Sequence, residues 1–529
     1  MNAFLNILKY LLVVVLVAIA ALIIACGCLV LFPNASIFGL SYVSYYDSSP
    51  KLTQYQIDEE PYKNCTAIAV DAGIFNVDIS IVDTKKITNG STHLNVLLER
   101  HLSGFAIGSE DEKVVKLIGQ QISDGTKNIL SLKINQPQRS MLFSTDASLQ
   151  LLVTADLLAE KEIVIKTTSG AVSIGKAPVY DKDNNNTTPF VAVKSLKVET
   201  DKGAVTLGCA NYIDPITITQ NKGDIKALVD LNVSATLSQK EGVGNINLKK
   251  VGSETNPQNL VIDGMFNSTL NVPCVYGDFL GKDIKGGNIK IGTIKKDAVI
   301  NNDYADVNIE HMMGDLVYTS KEGALNIKQA DAKLNIQNKN GAIYIENAGN
   351  NASDITHTIT TEKASVKIDN LHNNIDVTTT KGAVDIVGVP TDTTPVTVNI
   401  VSNDGAIKLD KVNGNVTYKC ENGNSSITVD YAKLVGGSTY LNQSGAITIA
   451  TPYETNTPMW LRWETKKTAK INLISYSSEL KESAADHDNV VFDGGKEKGI
   501  SINGATTATA EYIQIATRMG VIKVNRKSA

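Results

Sequence analysis

A glycine followed by a small residue and then by apolar, polar and apolar residues recurs along most of the chain, as in KGAVDIVG at 381–388. A glycine turn can cradle a phosphate, but no copy has the Gly-Lys-Ser/Thr ending of a P-loop or the three-glycine dinucleotide pattern. We therefore predict that these glycines form backbone turns with positive φ and bind no ligand. They are Gly170, Gly203, Gly223, Gly244, Gly287, Gly323, Gly341, Gly382, Gly405 and Gly445.

The segment DKDNNNTTPF, at residues 181–190, offers the spacing of a calcium-binding loop at Asp181, Asp183 and Asn185. It lacks the glycine expected at the sixth position and the glutamate expected at the twelfth, where Asn186 and Ala192 stand. We predict a projecting, solvated loop here and no metal site.

The residues that usually carry catalysis are scattered. The histidines form no HExxH or other close ligand pair, and the chain has no G-x-S-x-G nucleophile elbow. Some polysaccharide lyases place catalytic Asp, Lys and Arg on a β-helix, but residues 166–460 contain no arginine. The sequence predicts no enzyme activity and no cofactor.

Both tryptophans lie in one short segment, where Trp460 and Trp463 follow Tyr453. Aromatic faces pack on sugar rings, so these residues could form a carbohydrate-stacking platform. Their spacing also suits packing at the end of a repeat array, and we favour that interpretation because large aromatics usually seal cores.

Four cysteines lie in the body of the chain, at Cys65, Cys209, Cys274 and Cys420. Their separations match neither a metal site nor a compact disulfide framework. Buried free thiols are the preferred interpretation, and the disulfide state stays open.

Composition favours short strands joined by turns. The 529 residues include 50 Lys and Arg against 55 Asp and Glu, a net charge of −5 that indicates no nucleic-acid partner. Aromatic residues make up only 6% of the chain, while glycine, asparagine, threonine, valine and isoleucine crowd the long middle.

The spacing of the glycine motif indicates a stacked repeat. Copies at 323, 364, 405 and 445 are separated by 41, 41 and 40 residues, with another copy inside each interval. A unit of about 20 residues cannot bury a core alone and must stack on its neighbours. We predict an all-β, elongated β-solenoid-like array. Val384 and Ile386 face inward in it, while Asp385 belongs to an outward row of polar residues.

The N-terminus contains an apolar run without a charge from Leu11 to Phe32, long enough to cross a bilayer as a helix. We predict an uncleaved transmembrane helix; a cleaved signal peptide and a lipid anchor at Cys26 are the alternatives. Lys9 precedes the run and no Lys or Arg follows until Lys51, which favours a cytoplasmic N-terminus and an extracellular body.

The predicted organisation follows from these features. Residues 1–10 form the cytoplasmic N-terminus, 11–32 the transmembrane helix and 33–64 a connector. A β region follows over 65–165, in which residues 101–121 are predicted to form a helix. The β-repeat array spans 166–450, and residues 451–529 form a capping region with a final β-repeat.

The repeat resembles a bacterial family known as putative adhesins, which are membrane-anchored surface proteins with tandem units of the form T-x-x-G-x-I-x-I. The copies closest to that form are TTSGAVSI at 167, TTKGAVDI at 379 and NQSGAITI at 442. The resemblance covers roughly residues 65–450 and the last 15, and implies fold and surface placement. It brings no catalytic residues.

The leading functional hypothesis is an adhesin-like membrane protein that presents an extended surface to a glycan or protein ligand and does no chemistry. One alternative is an envelope stress or regulatory protein that acts through a membrane partner. Another is a glycan-active enzyme built on a β-helix.

Overall fold

The computed structural model describes most of the chain, with gaps between the described ranges. These ranges are residues 2–32, 37, 40–53, 64–81, 94–107, 116–124, 127–135, 140–175, 191–208, 210–350, 354–420, 423–434, 437–452, 459–463, 470–474, 498–502, 513–517 and 520–526. The fold is a β-solenoid of about 12 turns with one N-terminal apolar helix, as the repeat predicts. The chain divides into two compact units, Met1–Val229 and Asp230–Ala529.

The first unit begins with helix α1 (Asn2–Leu31), which starts nine residues before the predicted transmembrane segment. Its segment Leu8–Leu31 is long and apolar enough to cross a membrane or to serve as a signal sequence. The remaining elements are β1 (Leu40–Thr53), β2 (Ala67–Gly73), β3 (Asn76–Ile81), β4 (Leu94–Ile107), β5 (Lys116–Asp124), β6 (Lys127–Asn135), β7 (Ser140–Val153), α2 (Ala155–Glu160), β8 (Glu162–Thr167), β9 (Val172–Ile174), β10 (Val191–Val193), β11 (Ser195–Thr200), β12 (Val205–Leu207), β13 (Ala210–Tyr212), β14 (Ile216–Gln220) and β15 (Ile225–Ala227).

The second unit consists of strands among its described residues. They are β16 (Ala235–Gln239), β17 (Asn245–Asn247), β18 (Leu260–Val275), β19 (Phe279–Ile294), β20 (Ala298–Asn302), β21 (Asp306–Met312), β22 (Leu316–Ser320), β23 (Leu325–Ala330), β24 (Leu334–Asn338), β25 (Ile343–Ala348), β26 (Thr356–Thr361), β27 (Val366–Leu371), β28 (Asn374–Thr379), β29 (Val384–Gly388), β30 (Val396–Ser402), β31 (Ala406–Cys420), β32 (Ser426–Leu434), β33 (Ser438–Asn442), β34 (Ala446–Thr451), β35 (Met459–Trp463), β36 (Lys470–Ile474), β37 (Lys498–Ile502), β38 (Ile513–Thr517) and β39 (Val521–Arg526).

Coils of two lengths explain the 41-residue double repeat. Ile343 pairs with Val366, Val366 with Val384, and Val384 with Ile407, so successive coils advance by 23, 18 and 23 residues. One coil of each length gives 41 residues. The strands pair in parallel and in register, which stacks identical positions at the usual separation of about 4.8 Å.

The core of the second unit is a ladder of aliphatic side chains inside the coils. Alternation along each strand turns every second residue inward, and these residues are almost completely buried. Val384 and Ile386 each expose 1% of their surface, so their predicted inward placement is confirmed. One inner row consists of Ile289, Val307, Leu325, Ile343, Val366, Val384, Ile407, Ile427, Ile447 and Ile522.

The predicted helix over residues 101–121 is wrong in its described parts, residues 101–107 and 116–121, which are strands. Strand β4 continues to Ile107 and pairs antiparallel with β1 and β7, and β5 pairs antiparallel with β6. A short apolar run fits the helical and the strand period almost equally well, so cross-strand pairing decided the outcome. The helix α2, with Leu157 and Leu158 buried, was not predicted.

The order of strands at the C-terminal end differs from their order in the sequence. Strand β38 lies between β33 and β35, and β39 lies between β34 and β36. The last strands of the chain therefore occupy the coil directly after β33 and β34. Strands β35 and β36, which precede them in sequence, lie next in the stack.

Three of the four body cysteines are described, and all three are buried free thiols, as preferred from the sequence. Burial raises the pKa of the Cys65 and Cys274 thiols, which keeps both protonated and unreactive. Cys209 lies outside the described residues.

Candidate functional site

The glycine corners serve close packing more than unusual backbone geometry. All ten predicted glycines are described, and only Gly223, Gly287 and Gly445 have positive φ, at 117°, 96° and 106°. The prediction of positive φ is therefore wrong at the other seven. A Cβ atom at Gly382 would overlap the backbone carbonyl of Ala364 on the preceding coil. The neighbouring coil leaves no room for a side chain at such a corner, which explains why the residue there is glycine.

A buried polar side chain closes many of these corners. The backbone N–H of Gly382 donates to Thr379 Oγ1 at 2.8 Å, and that of Gly203 donates to Thr200 Oγ1 at 2.9 Å. Asn302 Oδ1 accepts from the N–H of Ala305 at 2.7 Å, so the cap also serves a corner without glycine. The threonine three residues before the glycine was visible in the repeat, but the sequence alone gave it no role. Its hydroxyl satisfies a buried backbone donor.

The polar position of the motif forms a continuous outward row in the second unit. Register places each member beside its equivalent on the next coil, and every member is exposed or half-buried, which confirms the predicted outward orientation. This polar row comprises Asn247, Asn271, Lys290, Asn308, Asn326, Tyr344, Lys367, Asp385, Lys408, Thr428, Thr448 and Lys523. In the first unit, Ser173, Thr206 and Lys226 form a shorter row of the same kind.

Charged and aromatic groups concentrate at the centre of the polar row, in a central cluster of Tyr344, Lys367, Asp369, Asp385 and Lys408. Tyr344 Oη donates to Asp369 Oδ2 at 2.6 Å, and Lys367 Nζ contacts Asp369 Oδ1 at 2.9 Å. The same ammonium group lies 5.1 Å from the centroid of the Tyr344 ring. On the next two coils, Lys408 Nζ and Asp385 Oδ1 are 4.0 Å apart, a charge contact longer than a hydrogen bond.

These contacts shift the ionisation of the central groups. Hydrogen bonds from Tyr344 and then from Lys367 hold the pKa of the Asp369 carboxyl below its ordinary value. The hydrogen bond to Asp369 raises the pKa of both Tyr344 and Lys367. The cluster therefore keeps its charges at neutral pH, with one carboxylate fixed between a phenol and an ammonium group.

The polar row presents several kinds of polar group at regular intervals. Throughout the described part of the chain, no group of three or more His, Cys, Asp or Glu could hold a metal ion. The polar row, with its central cluster, offers hydroxyl, amide, ammonium and carboxylate groups at the spacing of the coils, about 4.8 Å. An elongated ligand with repeating polar groups could contact several of them together.

Three histidines of the second unit contact neighbouring coils and form no ligand set. His311 Nε2 lies 2.6 Å from Asp331 Oδ2, and His372 Nδ1 lies 2.8 Å from the buried Asp392. His357 is fully buried in the core, where burial lowers its pKa to about 4. These residues hold the coils together.

Several predicted features fall outside the described residues. The loop 181–190, with the suggested calcium ligands, and Tyr453 are among them. Trp460 and Trp463 lie on β35, which pairs with β37 and β38. The choice between a sugar platform and a cap thus stays a prediction.

Comparison with known proteins gives little further guidance. No family model and no curated protein matches the sequence. A solved structure of a putative cell adhesion protein from Clostridium sporogenes is similar over 92% of this chain and 100% of its own, with 7% sequence identity. Its TM-score is 0.12, too low for the likeness to indicate a shared function.

Proposed function

We propose that this protein is a membrane-anchored, surface-exposed, adhesin-like β-repeat protein that binds an extended ligand along the polar row and performs no catalysis. The polar row carries the proposal, because it places matching polar groups on consecutive coils and holds its central charges in defined contacts. Helix α1 supplies the anchor, and the cytoplasmic N-terminus leaves the solenoid outside the cell.

A glycan is the ligand class that the polar row suits best. Sugars present hydroxyl and often carboxylate groups at repeated intervals, which ammonium, amide and phenol groups bind by hydrogen bonds and charge. The charges of the cluster lie near the surface, so each contact contributes little by itself. Affinity would come from engaging several coils with one ligand.

A glycan array probed with the full chain in lipid nanodiscs tests this proposal. We expect retention on neutral or anionic glycans and at least a tenfold loss in the double variant Lys367→Ala/Lys408→Ala, which removes two cations of the polar row. Lys328→Ala is the matched control, because Lys328 is an exposed, ion-paired lysine outside that row.

Three results would contradict parts of the proposal. The first is equal binding by the double variant and the control, which would remove the polar row from recognition. The second is release of reducing ends from a retained polysaccharide, which would establish catalysis. Protection of the solenoid from protease added to intact cells would separately overturn its extracellular placement.

A further inference from the structure

One interface between coils in the second unit is not crossed directly by the chain. From β20 to β34, each coil is followed in the stack by the next coil in the sequence. After Thr451, at the end of β34, the next coil in the stack is instead supplied from Ile513 onward. It consists of β38 and β39, and we call it the C-terminal coil. Residues 452–512 lie between the two sides of this interface in the sequence.

The last five strands join the rest of the solenoid through this interface. Strand β38 pairs with β33, and β39 pairs with β34. Among the described residues, β35 and β36 pair with β38 and β39, and β37 pairs with β35. Strands β35 to β39 therefore form a C-terminal block, which strand pairing holds on the solenoid through a single contact between coils.

This interface is packed like those inside the array. Tyr440 and Ile447 on one side and Ile522 on the other are fully buried, and Ile447 pairs with Ile522 in the inner row. The backbone N–H of Gly520 donates to Thr517 Oγ1 at 3.0 Å, so the corner cap recurs in the C-terminal coil. Without that coil, β33 and β34 would present apolar side chains and strand edges that need a cover.

The order of synthesis leaves this end of the solenoid uncovered for longest. The chain is made from its N-terminus, so β33 and β34 are complete before any residue of the C-terminal coil exists. Strands β35 and β36 are also made before the coil on which they stack. In that interval the C-terminal coil of a second, finished copy competes with the chain's own coil for β33 and β34.

We propose that two copies of this protein exchange their C-terminal blocks, so that the C-terminal coil of each stacks on β33 and β34 of the other. The pairing and the packing across the interface are the same in both arrangements, which makes exchange a low-cost route to a dimer. Residues 452–458 join β34 to the block and span at most about 25 Å when extended, so exchange holds the ends of the two solenoids side by side. This self-association depends neither on the polar row nor on its ligand.

Cross-linking between two co-expressed full-length chains tests the exchange. Thr439 lies between two partners in the stack, Thr417 on the preceding coil and Gln514 on the C-terminal coil. One chain carries Thr439→Cys and the other carries Gln514→Cys, each with its own affinity tag, and a short bis-maleimide is added to the membranes. The matched control pairs Thr439→Cys with Thr417→Cys, because the chain itself joins the coils of those two residues.

All chains carry Cys26→Ala, Cys28→Ala and Cys209→Ala, so that the introduced thiols react. The remaining cysteines, Cys65, Cys274 and Cys420, are buried. A single chain with both Thr439→Cys and Gln514→Cys verifies that the paired positions are within reach of the reagent.

We expect at least tenfold more cross-linked heterodimer from the Thr439→Cys and Gln514→Cys chains than from the control pair. Equal yields from the two pairs, with the doubly substituted chain reactive, would overturn the exchange, because each C-terminal coil would then stay on its own chain. An unreactive doubly substituted chain would also overturn it, since β38 would then not lie beside β33.

Discussion

Protonation of His357 should destabilise the solenoid at mildly acidic pH. Its side chain lies in an inner row between Leu334 and Ile375, and its surface is fully buried. Burial lowers the pKa of the imidazole from 6.5 to about 4, partly opposed by the backbone of Ala348. The position is therefore neutral in the folded protein over most of the physiological pH range.

The direction in which stability changes with pH follows from proton binding. The unfolded chain takes up a proton at His357 near pH 6.5, whereas the folded chain does so near pH 4, so stability falls as the pH falls between these values. Between pH 7 and pH 5 the loss is about 2 kcal/mol, and it reaches about 3 kcal/mol below pH 4.

Urea denaturation followed by circular dichroism at pH 7 and pH 5 measures this loss. The comparison variant is His357→Asn, whose amide oxygen can still accept the hydrogen bond from the Leu334 N–H but cannot take up a proton. We expect wild type to lose about 2 kcal/mol more than the variant over this pH range. All other titratable groups are the same in both proteins, so their effects cancel.

A similar loss of unfolding free energy between pH 7 and pH 5 in wild type and variant would show that protonation of His357 does not destabilise the fold. The stability of the variant at pH 7 does not decide the test, because the smaller side chain leaves a cavity of its own. Only the difference in pH dependence reports on the buried imidazole.

Three further perturbations test the corner and the C-terminal coil. Thr379→Val leaves the buried N–H of Gly382 without its acceptor and should lower the free energy of unfolding by about 1 to 3 kcal/mol. The control Thr378→Val, on the outer face, should change the free energy of unfolding in urea by less than about 0.5 kcal/mol. Gly382→Ala should lower the free energy of unfolding by about 1 to 3 kcal/mol, because the added methyl group overlaps the neighbouring coil. Ala364→Gly should lower it by at most about 1 kcal/mol in the same assay. Equal effects of the two substitutions would contradict the steric explanation. Deletion of residues 513–529 removes an internal coil, so hydrogen exchange should show lost protection in both β34 and β36; retained protection in β36 would contradict the observed stacking order.

The sequence determined the solenoid because its information is local and repeated. Period-two alternation identified the inward and outward positions, and the recurring glycine gave the coil length. Thus Val384 and Asp385 could be assigned to opposite faces without coordinates. The resemblance of the repeat to the adhesin family implied the same fold, and the long apolar run predicted α1.

Contacts between residues far apart in sequence could not be inferred in this way. The role of Thr379 as a corner cap depends on burial, and the exclusion of a side chain at Gly382 depends on the carbonyl of a neighbouring coil. Likewise, Tyr344 and Asp369 are 25 residues apart and meet because register aligns their coils.

Tertiary structure also decided where local patterns were ambiguous. Residues 101–107 fit a helix by composition, but pairing with β1 and β7 makes them a strand. The final strands lie in the stack ahead of β35 and β36, an order that no pattern along the chain encodes. Sequence periodicity determines how one coil is built. The order and pairing of the coils depend on contacts between residues that are far apart in sequence.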